Sequence, residues 1–253
     1  MGIHVSASNI SEITAAAGAH GKAAAHPPTA ADLIRQIREY HAKSMELLAS
    51  GLPPMHLKGK RGQSLSERFN AYAKSWQKTI DDFEDMIAHV PDGYKLVPVL
   101  YTPVSGQRLG TISDEFNGRV KPAFVKFIVE KYSDELMAIG LTQNDLARIK
   151  NGKIPADLGR RFSIDHIIER AGAGKWAEVK EVDQDNPHSS HERRLVNHFG
   201  NLTFMPASVH NYKNRLNQVQ GIRKHAPNRT QWLLMLVPVR NKKHHGFVAP
   251  AQK

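Results

Sequence analysis

The feature that most constrains this chain is a pair of short segments within residues 162–217. In the first, FSIDHIIERAGAG, apolar and largely β-branched residues stop at an Ala-Gly repeat, which predicts a short β-strand ending near Asp165 and His166. In the second, NHFGNLTFMPASVHNYKNRLN, a short apolar run stops at a proline and is followed by a helical pattern that contains His210. The pattern therefore allows a carboxylate and an imidazole on one element to face an imidazole on another.

Asp165, His166 and His210 are residue types that suit one kind of chemistry. An aspartate and a histidine can hold a divalent cation, and a further neutral histidine can take a proton from water because its unperturbed pKa lies near the working pH. Neighbouring residues on a regular strand point to opposite faces, so Asp165 and His166 can share a site only if the strand twists or ends between them. The three residues predict metal-assisted hydrolysis.

The spacing of these residues resembles that of the HNH, or ββα-metal, endonucleases over roughly residues 152–220. Asp-His is followed by Asn-Leu, by a histidine nine positions after that asparagine, and by Asn-x-Lys. The resemblance implies that Asp165 is a metal ligand, that His166 is the general base that activates water, and that His210 is the second ligand. It also implies that Asn201 pins the β-hairpin and orients His166.

Three features of the same region extend or depart from the family pattern. Asn214 lies one helical turn after His210, where some family members carry a further ligand, so it is a weaker candidate ligand. Residues 171–200 form a longer and more polar insertion than many members have, and within it Asn197 competes with Asn201 for the orienting role. The chain has no cysteine, so neither a disulfide nor the thiolate zinc site that braces some members can form.

The resemblance also implies a cofactor, a substrate and products. It implies one bound divalent ion, with Mg²⁺ favoured and Mn²⁺, Ni²⁺ or Zn²⁺ as alternatives. The substrate would be nucleic acid, with DNA favoured over RNA. Hydrolysis would leave a 5′-phosphate and a 3′-hydroxyl.

Charge is strongly segregated along the sequence. Residues 193–253 contain 11 Lys and Arg and no Asp or Glu, whereas residues 1–192 contain 24 basic and 24 acidic residues, so the last segment accounts for the whole net charge of +11. A basic surface beside a metal site suits a polyanion, because neutralised phosphates release condensed counterions. The residues expected to contact phosphate are Lys213, Arg215, Arg223, Lys224 and Arg229.

The whole chain predicts an α+β protein, with a mainly helical N-terminal region followed by a C-terminal ββα-metal nuclease module. We expect a flexible tail over residues 1–28, the helical region over 29–150 and the nuclease-like domain over 151–253. Residues 102–118 are rich in turn-forming types. Apolar periodicity predicts helices near residues 29–48, 65–87, 121–139 and 142–150, a strand over 94–101, and a helix or strand over 231–239.

The biological setting is inferred from the same features. The sequence has no apolar run of about 18 residues and no secretory signal, so we expect no membrane span and a protein that is cytoplasmic as made. A nuclease domain that follows a flexible N-terminal tail and a helical region resembles the toxin domains that bacteria deliver into target cells without a signal peptide. The basic surface then predicts a small acidic immunity protein as partner. Two other functions stay open: a non-catalytic nucleic-acid-binding module, and a structural or delivery protein of a secretion system.

Overall fold

The fold is described from a computed structural model of the chain. The structure describes residues 27–49, 64–104, 106–174, 180–182, 192–220 and 231–251. Most of the expected N-terminal tail and the basic residues Arg223, Lys224 and Arg229 lie outside these ranges. Within them, helices are combined with small antiparallel sheets, so the fold is α+β, as expected.

Helices make up most of the described chain. In chain order they are α1 (Ala30–Ala49), α2 (Leu65–Ala88), α3 (Gly106–Glu115), α4 (Lys121–Lys131), α5 (Ser133–Ala138), α6 (Gln143–Ile149), α7 (Ala156–Arg161) and α8 (Ala207–Val219). A π-helix, Phe116–Val120, joins α3 to α4. Among the described residues, no helix is both long enough and apolar enough to cross a membrane.

The predicted helices agree with the structure where local signals are strong. The start of α2 is a capping box, because the Glu67 amide donates to Ser64 Oγ at 3.2 Å and the Ser64 amide donates to the Glu67 carboxylate at 2.7 Å. Two expectations were wrong. The turn-rich segment 102–118 is mostly helix, and the helix expected over 121–139 breaks at Tyr132 into α4 and α5.

The strands are short and pair two by two. They are β1 (Tyr94–Tyr101), β2 (Phe162–His166), β3 (Lys180–Val182), β4 (Glu192–Arg194), β5 (Leu202–Pro206) and β6 (Gln231–Pro238). The antiparallel pairs are β1 with β6, β2 with β5, and β3 with β4. The strand expected over residues 94–101 is confirmed, and the apolar run near the C-terminus is a strand rather than a helix.

The β1–β6 pair joins two parts of the sequence that were expected to be separate. The strands pair over their whole lengths, beginning with Tyr94 opposite Pro238. The rings of Phe124 and Phe199 also lie 5.2 Å apart within one buried cluster. The β1–β6 sheet and this buried cluster therefore both contain residues from either side of the boundary expected near residue 150.

The Ala-Gly repeat after β2 packs against the end of β1. The Thr102 amide donates to the Gly172 carbonyl at 2.9 Å, and the Gly174 amide donates to the Thr102 carbonyl at 2.9 Å. A Cβ atom on Gly172 would come within 2.1 Å of the Tyr101 ring, so the close approach requires glycine. These contacts hold the segment that follows β2 against the end of β1.

Candidate active site

The residues predicted from the sequence lie on β2 and α8, which are neighbours in space. Within the β2–β5 pair, Asp165 is opposite Thr203 and His166 is opposite Leu202. Helix α8 begins directly after β5 and carries His210 in its first turn. A strand, a strand and a helix thus place Asp165 close to His210.

Asn201 pins the backbone that follows β2. Its side-chain nitrogen donates to the carbonyls of Ile168, at 3.1 Å, and Val196, at 2.8 Å, and its side-chain oxygen accepts from the Ile168 amide at 2.8 Å. The main-chain carbonyl of Asn201 accepts from the Ile167 amide at 2.8 Å. Because Asn201 is buried, these bonds hold the two residues after His166 in one conformation.

The imidazole of His166 is hydrogen-bonded to Asn197. His166 Nε2 lies 2.9 Å from Asn197 Oδ1, and both side chains are buried. The side-chain nitrogen of Asn197 donates to the Ile112 carbonyl at 3.1 Å and to Glu115 Oε1 at 3.0 Å, so its oxygen must be the acceptor toward the imidazole. His166 Nε2 therefore carries the proton, and Nδ1 keeps the lone pair that a general base needs. Of the two competing asparagines, Asn197 contacts the His166 ring, and Asn201 holds the backbone that follows β2.

The surroundings of His166 keep its ring neutral. The ring of Phe116, the first residue of the π-helix, lies 4.5 Å from the imidazole, measured between centroids. Burial lowers the pKa of His166 to about 3, and the hydrogen bond to Asn197 offsets only part of that effect. The Arg170 guanidinium, 5.2 Å from the Phe116 centroid, adds positive charge nearby. The imidazole is therefore unprotonated at neutral pH.

The two carboxylate oxygens of Asp165 have different neighbours. Oδ2 lies 2.6 Å from Lys213 Nζ, and Oδ1 lies 4.0 Å from His210 Nε2. Burial raises the pKa of Asp165, and the Lys213 ammonium opposes that rise. The side chains of Asp165 and His210 are 13% and 32% exposed, so this edge of the site opens toward solvent through the histidine.

Lys213 does not occupy the surface position expected for a residue that contacts phosphate. Its side chain is only 1% exposed, and its ammonium contacts Asp165, Glu169 Oε1 at 3.0 Å and the main-chain carbonyl of His166. Burial alone would lower the pKa of Lys213, but the charges of Asp165 and Glu169 raise it above its ordinary value. The residue is an internal counter-ion, which corrects its assignment to the phosphate-contacting set.

Glu169 and Asn217 complete this cluster, and sequence reasoning did not single them out. Asn217 Nδ2 donates to Glu169 Oε1 at 3.0 Å. A signal for the inward direction of Lys213 was present, because Val209, Lys213, Leu216 and Asn217 recur at helical spacing and form the buried face of α8. No comparable local signal marks Glu169.

Asp165 and His210 fit a single divalent ion as a pair of donors. An ion about 2.0–2.2 Å from each ligand atom can join atoms up to about 4.4 Å apart. This range includes the 4.0 Å between Asp165 Oδ1 and His210 Nε2. The carboxylate oxygen suits Mg²⁺ or Mn²⁺, and the imidazole nitrogen suits Ni²⁺ or Zn²⁺. Asn214 is exposed one turn further along α8, and within the described ranges no group of three or more His, Cys, Asp or Glu could hold a metal ion.

The remaining residues of the expected phosphate-contacting set are not gathered at this site. Arg215 is 51% exposed and pairs with Asp82 of α2 at 2.7 Å, so it faces the neighbouring helix. Arg223, Lys224 and Arg229 lie outside the described residues, and their contacts with phosphate stay predictions.

Comparison with known proteins adds no relative to this picture. No family model matches the chain, and neither a curated protein nor a solved structure matches it. The resemblance to the HNH endonucleases therefore consists of the motif spacing alone. The contacts of Asp165, His166 and His210 stand beside it as an independent observation.

Proposed function

We propose that this protein is a metal-dependent endonuclease that hydrolyses phosphodiester bonds, with DNA favoured over RNA. The observation that carries the proposal is the arrangement of adjacent residues on β2. His166 is a neutral imidazole of assigned tautomer, and Asp165 places a carboxylate oxygen 4.0 Å from the His210 imidazole. A general base that is adjacent in sequence to one of a pair of metal donors supports metal-assisted hydrolysis. The HNH-like spacing of the same residues supports this function.

His166 is the general base in this proposal. Its Nδ1 takes a proton from the attacking water, while Nε2 keeps its proton in the hydrogen bond to Asn197. Positive charge then develops on the ring, and Asn197 Oδ1 accepts from the more acidic Nε2–H. Because the Asn197 side-chain nitrogen donates to the Glu115 carboxylate, the negative charge of Glu115 strengthens that support through the amide.

Asp165 and His210 would hold the metal ion through Oδ1 and Nε2. When bound, a divalent ion, with Mg²⁺ favoured and Mn²⁺, Ni²⁺ or Zn²⁺ as alternatives, supplies stabilisation of the charge that develops on the phosphate and the leaving oxygen. The part of His210 that is exposed leaves this edge accessible to a substrate phosphate. The net charge of +11 favours the approach of a polyanion.

Cleavage assays on the full chain test the activity. Purified protein is incubated with plasmid DNA and with a structured RNA, in Mg²⁺, in Mn²⁺ and in excess chelator. We expect cleavage of the plasmid that requires the ion and is faster than cleavage of the RNA. Binding of nucleic acid without cleavage under every ion would contradict the proposal and favour the non-catalytic binding module.

Metal titrations of variants test the ligand assignment separately. We expect Asp165→Ala and His210→Ala each to weaken Mn²⁺ binding by at least about tenfold in calorimetry, since each removes one donor. Asn211→Ala is the matched control, because Asn211 is the exposed neighbour of His210 on α8. Wild-type Mn²⁺ affinity in both ligand variants would show that these residues do not hold the ion.

A further inference from the structure

We infer that Lys213 determines which metal ions the site accepts, because it restricts Asp165 to a single coordinating oxygen. The inference rests on the proposed metal-dependent activity. Asp165 Oδ2 lies 2.6 Å from the Lys213 ammonium, a short charge-assisted hydrogen bond, whereas Oδ1 lies on the side of His210 Nε2. Only Oδ1 is therefore available to an ion between Asp165 and His210.

The Lys213 ammonium is enclosed by acceptors of the protein. Its three N–H donors meet Asp165 Oδ2, Glu169 Oε1 and the main-chain carbonyl of His166, and the Ile167 carbonyl lies at 3.5 Å. The side chain is 1% exposed, so water does not compete for these donors. Asn217 Nδ2 donates to the same Glu169 oxygen at 3.0 Å, which helps to keep that carboxylate in position.

Charge reinforces this geometry. An ion that bound both oxygens of Asp165 would have to displace the ammonium from Oδ2. The displaced ammonium would then stay buried with Glu169 as its remaining anionic partner. Coordination through Oδ1 alone leaves the ion pair between Lys213 and Asp165 intact. Each of the two cations then has its own oxygen of Asp165.

One oxygen and one imidazole nitrogen discriminate between classes of ion. Mg²⁺ and similar small ions take near-octahedral geometry, need few protein ligands and keep several waters. Ca²⁺ takes six to eight oxygen ligands, often with a bidentate carboxylate. Lys213 therefore acts as a positioning residue that favours small octahedral ions and disfavours calcium.

Calorimetric titration of the full chain with Mn²⁺ and with Ca²⁺ tests the inference. The variant that releases Oδ2 is Lys213→Met/Glu169→Gln, which removes one positive and one negative charge and leaves the cluster's net charge unchanged. The matched control is Glu169→Gln alone, which keeps the contact between Lys213 and Asp165. The quantity compared is the ratio of Ca²⁺ to Mn²⁺ dissociation constants, and circular dichroism verifies that each variant is folded.

We expect the wild-type chain to bind Mn²⁺ at least tenfold more tightly than Ca²⁺. The ratio should fall at least tenfold in Lys213→Met/Glu169→Gln and stay within about threefold of wild type in Glu169→Gln. A double variant with the wild-type ratio overturns the role of Lys213 and leaves the proposed function standing. Equal or tighter binding of Ca²⁺ by the wild-type chain overturns the inference without any variant. Absence of Mn²⁺ binding in the wild-type chain overturns the metal site, and with it both proposals.

Discussion

His166 and Asp165 are adjacent on β2, yet they are held in different ways. The neutral side-chain amide of Asn197 is hydrogen-bonded to the histidine, and the same amide donates to the carboxylate of Glu115. A buried cation, Lys213, holds the aspartate. A base must change its protonation state during the reaction, so a neutral partner that tolerates both states suits it. A metal ligand must stay ionised, so a cationic partner suits it.

The two partners also come from different parts of the chain. The base side is closed by Glu115 and Phe116, at the junction of α3 and the π-helix. The ligand side is closed by α8, through Lys213. Asp165 and His166 are thus supported from different elements, although they are neighbours on one strand. The difference predicts that each side can be impaired while the other remains intact.

The largest effect should come from His166→Ala, which removes the base and leaves Asp165 and His210 unchanged. We expect a loss of kcat on the order of a hundredfold to ten-thousandfold, with Mn²⁺ affinity close to wild type. Plasmid cleavage and calorimetry measure the two quantities. His89→Ala is the control, since His89 is an exposed histidine directly after α2 that pairs with Asp85. Retention of wild-type turnover would show that His166 is not the base.

Lys213→Ala should affect stability more than any other change on the ligand side. It leaves Asp165 and Glu169, both largely buried, without their cation, and loss of one partner from a buried ion pair costs about 3–5 kcal/mol. The free energy of unfolding in urea gives the value. Adding Glu169→Gln should recover part of the loss, because one unpaired carboxylate then remains. A loss below about 1 kcal/mol would be the value for an exposed ion pair and would contradict the burial of this cluster.

Asn197→Ala and Glu115→Gln separate direct from indirect support of the base. Asn197→Ala leaves His166 Nε2–H without its acceptor, so we expect kcat to fall on the order of tenfold to a hundredfold with little change in KM. Glu115→Gln keeps an acceptor oxygen for Asn197, so its kcat should fall less than about tenfold. Equal losses in the two variants would mean that the carboxylate acts on the imidazole as strongly as the amide does.

Arg215→Ala should have the smallest effect, although Arg215 lies only two residues after Lys213 on α8. Its ion pair with Asp82 is partly exposed, so the loss in unfolding free energy should stay below about 1 kcal/mol and shrink at high salt. The loss caused by Lys213→Ala should be nearly independent of salt. Urea unfolding of both variants at low and high salt makes the comparison, and equal salt dependence would contradict it.

Local signals predicted where several of the candidate residues lie in the fold. The apolar run and the Ala-Gly repeat placed β2 and its end, and the motif spacing identified Asp165, His166 and His210. A carboxylate oxygen and an imidazole do meet at 4.0 Å, as a facing pair requires. These features depend on residues close together in the sequence, where turn chemistry and periodicity carry information.

The supports of the site depend on contacts between distant residues, which local patterns do not encode. Glu115 meets Asn197 across 82 positions, and the helix that carries Glu115 forms in a segment of turn-forming residues. Burial of Ile112 and Phe116 outweighs the weak helix propensity of that segment. Lys213 was taken as a surface cation because its neighbours in sequence are basic, whereas its partners in space are carboxylates.

The pairing of β1 with β6 has a consequence for how the chain folds during synthesis. Tyr94 leaves the ribosome long before Pro238, its partner across the sheet, so the contact has a very high sequence separation and is expected to form late. β2, β5 and α8 are all made in the interval between these strands. The buried cluster that joins Tyr101, Ile167 and Leu233 can close only when β6 has been made. A nascent chain would therefore contain Asp165, His166 and His210 for some time before β6 can complete this cluster.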